Sequence, residues 1–164
     1  MKKVLTVILL LTAIILLILQ QNKNTIKKEL RDFHIENTES ISKVFLADRH
    51  GNEVLLEKIN NQWFVEGKYH VREDGIKTML STMHKLRVRQ PVSESMHDNA
   101  IKNLSTKSVK VEIYTDEDNP HKTYYVGTEA SDLLGSFMIL ENSSKAFIMH
   151  IPGFNGFLAP RYNI

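Results

Sequence analysis

Seven histidines and one short acidic run are the side chains best equipped to hold a metal or move a proton. The imidazoles are His34, His50, His70, His84, His97, His121 and His150. Imidazole titrates near neutral pH and is the commonest metal ligand. Here the spacing works against both roles. No H-x-H or H-E-x-x-H occurs, and no pair stands four apart on one helical face, so a metal site would have to be assembled from distant segments. Asp116-Glu117-Asp118-Asn119 could offer oxygens to Ca²⁺. It lacks the glycine and the distal glutamate of an EF-hand loop, and it reads as a solvated hairpin tip. Nucleophilic chemistry fares no better. Leu134-Gly135-Ser136-Phe137 lacks the second glycine and the strand-to-helix setting of a G-x-S-x-G elbow, and Ser131-Asp132 reads as a turn or cap. A hydrolase would need His70, His84 or His150 beside a carboxylate and a nucleophile. No phosphate-cradling glycine loop is present. No catalytic, cofactor-binding or metal-ligating residue is therefore assigned, and the chain is expected not to be an enzyme.

One segment looks specialised. Ile151-Pro152-Gly153-Phe154-Asn155-Gly156-Phe157-Leu158 holds two Gly-Phe pairs three residues apart. Two glycines allow a tight, irregular path with aromatics on one side. One reading is a core-capping turn with Phe154 or Phe157 plugged into a sheet. The other is an exposed aromatic patch for a partner or the membrane surface, with Gly153, Phe154, Gly156 and Phe157 as partner-binding residues.

The elements that must position these groups follow from periodicity. Ser42 to Ala47, Glu53 to Glu57 and Trp63 to Val65 read as three strands. Asp48-Arg49-His50-Gly51-Asn52 and Asn60-Asn61 supply the turns. A helix follows, with Asp74 as its cap and Ile76, Met79, Leu80 and Met83 along one stripe. Pro91 ends any continuation. Trp63 is expected in the core beside Met79 and Met83. A shorter helix is expected from His97-Asp98, with Ala100, Ile101 and Leu104 inward. Ser108 to Tyr114 alternates cleanly, with Val109, Val111 and Ile113 in and Lys110 and Glu112 out. Lys122 to Val126 pairs back, and Gly135 to Leu140 with Ala146 to Ile151 forms another hairpin. Strands, then helices, then strands with short links predict an α+β domain with a mainly antiparallel sheet and one or two packed helices.

Behind Met1-Lys2-Lys3 lies an apolar run, residues 4–19, with nothing more polar than Thr6 and Thr12. Such a run rises about 24 Å as a helix against a hydrocarbon core of about 30 Å. Lys2 and Lys3 can snorkel at one end and Gln20 and Gln21 can sit among headgroups at the other. The rival, a cleaved signal peptide, wants a small-x-small cleavage site, but Ala13 is the run's only small residue. Residues 1–21 are therefore read as a single transmembrane anchor touching the lipid bilayer through residues 4–19, 22–31 as a polar stalk, and 32–164 as one body. A two-lysine start leading into an apolar run is the form of an export signal. It predicts a single-pass protein of the bacterial inner membrane with its C-terminal domain in the periplasm.

The chain has 21 basic and 19 acidic residues. Lys2 and Lys3 account for the difference, so the remainder is formally neutral. That argues against nucleic acid, which selects a basic stripe. The chain contains no cysteine, which rules out disulfides, thiolate nucleophiles, cysteine-type zinc sites and a lipid-modified cysteine.

An ordered series of segments resembles the bacterial domain-of-unknown-function family 4340. It comprises Phe45-Leu46-Ala47-Asp48, Gly51 to Glu57, the Trp63 strand, Pro91-Val92, Ile101-Lys102-Asn103-Leu104, Ser108 to Tyr114, Thr123-Tyr124-Tyr125-Val126-Gly127 and His150 to Phe157. The likeness runs from about Asp32 to Tyr162. It implies an envelope protein of gram-negative bacteria with one N-terminal anchor, related to auxiliary subunits of ABC-type export systems linked to gliding motility. It implies no activity or cofactor. Family members usually continue past the Arg161-Tyr162 region, so the stop at Ile164 suggests a truncated product with an unpaired edge strand. The expected function is a non-catalytic accessory or scaffold domain of an envelope complex, with ABC-transporter subunits as partners. The alternative is a binding module for a small ligand, lipid or glycan built on the Gly-Phe segment.

Overall fold

Alternating apolar residues build the sheet. In the computed structural model, which describes residues 31–162, the strands are β1 (Lys43–Ala47), β2 (Glu53–Ile59), β3 (Gln62–Val65), β4 (Tyr69–His70), β5 (Arg87–Pro91), β6 (Val109–Tyr114), β7 (Lys122–Glu129), β8 (Ser136–Leu140) and β9 (Ala146–His150). Helix α1 (Glu73–Lys85) lies between β4 and β5, α2 (Glu94–Lys107) between β5 and β6, and a 3-10 helix (Ala159–Tyr162) follows β9. The expected anchor and most of the expected stalk lie outside the described residues. Among the described residues no helix is long and apolar enough to cross a membrane.

All nine strands form one antiparallel sheet in the order β4-β3-β2-β1-β6-β7-β8-β9-β5. Two meanders, β1 to β4 and β6 to β9, join through β1 and β6. The expected α+β class with a mainly antiparallel sheet and packed helices is what the structure has. Turn chemistry sets the register. The Asp48 carboxylate accepts the His50 and Asn52 amides at 2.8 and 2.9 Å. Asn60 and Asn61 both take positive φ, 47° and 65°, as a two-residue hairpin demands.

Because pleating alternates side chains, the sheet has two distinct faces. The inner face presents Val44, Leu46, Leu56, Val111, Ile113, Tyr124, Met138, Phe147 and Met149, all buried. Over it lie α1, through Ile76, Met79 and Met83, the segment carrying Phe33 and Ile35, and the C-terminal residues Leu158 and Tyr162. The Ile35 amide donates to the Met83 carbonyl at 3.0 Å, tying the entering chain to α1. The outer face is covered only over β7 to β9, where Ala100 and Leu104 of α2 pack on Phe137, Ala146 and Ile148. Gly127 permits that approach. A Cβ there would sit 2.6 Å from Asn103 Oδ1, the atom that accepts the Thr128 amide at 3.0 Å.

Four expectations need correction. Helix α2 is not the shorter one: it begins at Glu94 and runs 14 residues against 13 for α1, because Ser93 and Glu94 already provide a start. Asp74 is not the cap of α1. Arg72 holds that position without a side-chain hydrogen bond, and Glu73 and Asp74 occupy the first turn. Trp63 is only half-buried, since β3 lies one strand from the edge, beneath the overhanging start of α1. The stretch around Pro91 is an added strand, β5, pairing with β9 through a register shift. The sheet's two edges are short or guarded. β4 has two residues, and β5 carries Arg87, Arg89, Pro91 and the shift, features that discourage edge pairing.

Candidate functional site

The Gly-Phe segment does not plug the sheet by its phenylalanines. After Ile151 the chain turns at Gly153 (φ +79°), and Phe154 ends half-buried. Its ring lies against Gly156, where a Cβ would come within 3.0 Å of Phe154 Cζ. Phe157 is 37% exposed. The plug is Leu158, fully buried, whose amide donates to the buried Ser136 Oγ at 2.8 Å. The 3-10 turn then sends Tyr162 into the core and holds Arg161 over the Phe154 ring, 4.1 Å from its centroid. The segment's physical consequence is thus the placement of one guanidinium.

Arg161 also helps line a cleft of about 460 Å³. Leu46, Val54, Leu56 and Val65 of the inner face line it, with Ile76 and Met79 of α1 opposite. His70, Arg72, Asp74, Thr78, Pro160 and Arg161 supply the remaining polar and terminal lining. The cleft exists because α1 starts at the edge strand and reaches the sheet only through every third or fourth side chain. Gly75, which also lines it, adds no side chain to the gap. A neighbouring groove of about 340 Å³ holds Trp63, Lys77 and Leu80 and shares His70, Val71 and Ile76 with the cleft. The volume falls within the range of about 300–1,000 Å³ typical of small-ligand sites, and the mixture of apolar lining with a few polar groups is also typical.

The charges here are unequal. Arg72 and Asp74 pair at 2.7 Å. Their hydrogen bond holds the Asp74 carboxyl below its ordinary range and raises the Arg72 guanidinium. Arg161 has no carboxylate partner among the described residues. Beyond the Phe154 ring it reaches only Thr82 Oγ1, at 3.4 Å.

A second polar cluster lies on the outer face, where β1 and β6 are uncovered. Lys110 Nζ sits 2.6 Å from Glu112, and Tyr114 donates to the same carboxylate at 2.6 Å. That bond, with burial, pushes the Tyr114 phenol up to about 12. Lys43 lies 4.2 Å from the Tyr114 ring centroid, and Tyr125 donates to Glu141 at 3.1 Å. These groups bond to one another in a sheet-facing charge network.

The histidines are dispersed. His70 is on β4 and His150 on β9, far apart in strand order. A ring nitrogen of His84 lies 3.1 Å from the Ile35 carbonyl. Among the described residues no group of three His, Asp or Glu side chains is placed to hold a metal ion. Asp116 to Asn119 forms an exposed loop. The residues that sequence reasoning missed are Arg161 and the cleft lining. Val54, Leu56, Val65, Ile76 and Met79 carry only the ordinary marks of a core, and nothing local reveals that the core is incomplete there. No protein-family model, curated protein or solved structure matches this chain.

Proposed function

We propose that the body is a binding module for a small, mainly apolar ligand, carried at the bacterial inner membrane by residues 4–19 and facing the periplasm, and that it performs no catalysis. The cleft beneath α1 is the observation that supports this reading. It offers aliphatic surface and a cationic group in its lining, the recognition chemistry of an amphiphile. Within the segment Gly153, Phe154, Gly156 and Phe157, Phe154 packed against Gly156 serves the site indirectly, by seating Arg161, while Phe157 stays exposed. Residues 31–162 form a compact unit with a core of their own, so the body can be titrated with an anilinonaphthalene sulfonate, an apolar anion whose fluorescence rises on burial. Saturable binding is expected, and Val54→Phe, which enlarges a lining side chain, should weaken it at least about fivefold while the far-ultraviolet dichroism is retained. The added ring occupies space the ligand would fill, and a misfit of one methylene in an apolar pocket is worth about 1–3 kcal/mol, ample for that change. Equal affinity in the two proteins would sink the proposal.

A second reading is favoured by the apolar run behind Lys2-Lys3 and by the segments resembling family 4340. In it the chain is an accessory or scaffold subunit of an envelope complex, with ABC-type transporter subunits as partners. Ligand binding and assembly are compatible in one subunit. Affinity purification of the full chain from detergent-solubilised bacterial membranes should then bring down permease or ATPase subunits in fixed ratio. Recovery of the chain by itself would count against assembly and leave the binding module standing.

A further inference from the structure

We infer that the ligand of the cleft is a single-chain amphiphile with one anionic head, its apolar body lying on Val54, Leu56 and Met79 and its head at Arg161. This rests on the reading of the cleft as a ligand site and adds the chemical class. Three observations lead to it. The lining is aliphatic on both the sheet side and the helix side, with polar groups confined to His70, Arg72, Asp74, Thr78 and Arg161. A glycan, which needs hydrogen-bond partners along its whole length, is poorly served by such walls. At about 460 Å³ the cleft suits one slender chain.

Charge complementarity selects the head. Arg72 is committed to Asp74 at 2.7 Å, so that pair is neutral toward a visitor. Arg161 is a half-buried cation with no carboxylate partner among the described residues. Phe154 occupies one face of its guanidinium plane at 4.1 Å and Thr82 takes one long hydrogen bond at 3.4 Å. Most of its five N–H donors are left over, in the fork geometry that meets a carboxylate with two parallel bonds. A neutral head would leave this half-buried cation uncompensated, and a cationic head would be repelled by it. Arg161 is one cation, so a second charge on the head would find no free partner beside it. A single carboxylate is the head that fits.

The test uses the full chain in phosphatidylcholine nanodiscs. Diazirine analogues of octanoate and octanol are photolysed on it, and labelled peptides are mapped by mass spectrometry. Both probes should label the peptides bearing Val54, Leu56 and Met79. At matched free concentrations, unlabelled octanoate should suppress that labelling about tenfold more effectively than octanol, the equivalent of one charge-assisted hydrogen bond. Arg161→Gln should shrink the difference to within about twofold while the octanol probe still labels the same peptides, which also reports that the cleft has kept its shape. If octanol competes as well as octanoate in the unaltered chain, the anionic head is wrong although the cleft still binds apolar ligands. If neither probe labels the cleft, the binding reading falls with it.

Discussion

Replacing Phe33 by Ala is expected to destabilise the body by about 3–5 kcal/mol, the range measured for deleting a fully buried aromatic ring. Phe33 is completely buried. Its ring meets Phe147 edge-on at 5.8 Å and Tyr124 at 6.2 Å, joining β9 and β7 beneath the entering chain. Surrounding rings are held by a nine-stranded ladder and cannot collapse into the space, which places the cost at the upper part of that range. Domains of this size hold only about 5–15 kcal/mol in total, so the loss would be a large share. Urea unfolding followed by the fluorescence of the chain's single tryptophan, Trp63, measures it directly. Leu133→Ala is the control, since Leu133 is 58% exposed and should change stability by no more than about 0.5 kcal/mol. A loss below about 1 kcal/mol for Phe33→Ala would mean that the chain before β1 is not part of the core. The same measurement therefore tests where the stalk ends and the body begins.

What the sequence discloses depends on how local its cause is. β1, β2 and β6 are legible because alternation and turn residues sit within a few positions of each other, as in Asp48 to Asn52 and Asn60-Asn61. Helix α1 is legible because Ile76, Met79 and Met83 share one face. β5 is not. Arg87-Val88-Arg89-Gln90-Pro91 has one apolar side chain and becomes a strand only by pairing with β9, some sixty residues later. The start of α2 was displaced for a related reason. Ser93-Glu94 is a weak start signal, and Val92 and Met96 acquire meaning only from the outer-face cluster they pack against.

The cleft was invisible for a different reason. A core position and a cleft-lining position have the same local pattern, and the difference lies in what stands opposite. Val54 and Val65 would be ordinary core residues if α1 lay flat across β2 and β3. They line a gap because α1 begins just after the edge strand β4 and faces the sheet there only through Ile76 and Met79. The Gly-Phe pairs did mark an unusual path, and the glycines carry that path as expected. Which side chain would be delivered by it was not legible, because Arg161 lies five residues beyond Gly156 and across a 3-10 turn.

The second large effect is expected in alkali. Tyr124 and Tyr162 are both fully buried, and their hydroxyl oxygens lie 3.1 Å apart. Burial pushes each phenol above its ordinary value, and for Tyr124 the adjacent Tyr162 adds to the rise. For Tyr162 the hydrogen bond with Tyr124 and the nearby Arg161 offset part of that rise. In the unfolded chain both phenols ionise near pH 10. Below that value the two states bind these protons equally, and the pair gives stability no pH dependence. Above it the unfolded state releases protons that the folded state keeps. Stability must then fall by up to about 1.4 kcal/mol per pH unit for each tyrosine. Over two pH units the pair removes roughly 5 kcal/mol, enough to unfold a domain of ordinary stability. Urea midpoints taken at pH 8, 10 and 11 should be level across the first interval apart from lysine titration and drop steeply across the second. Replacing both tyrosines by Phe removes two hydroxyls that satisfy each other, a change close to neutral at pH 8. It should flatten the alkaline drop by most of its slope, with phenolate absorbance showing that the remaining tyrosines still titrate. Identical slopes in the two proteins would show that the buried pair does not set the alkaline limit. The decline would then belong to the lysines and to Tyr114, whose own bond to Glu112 defers its ionisation to about 12.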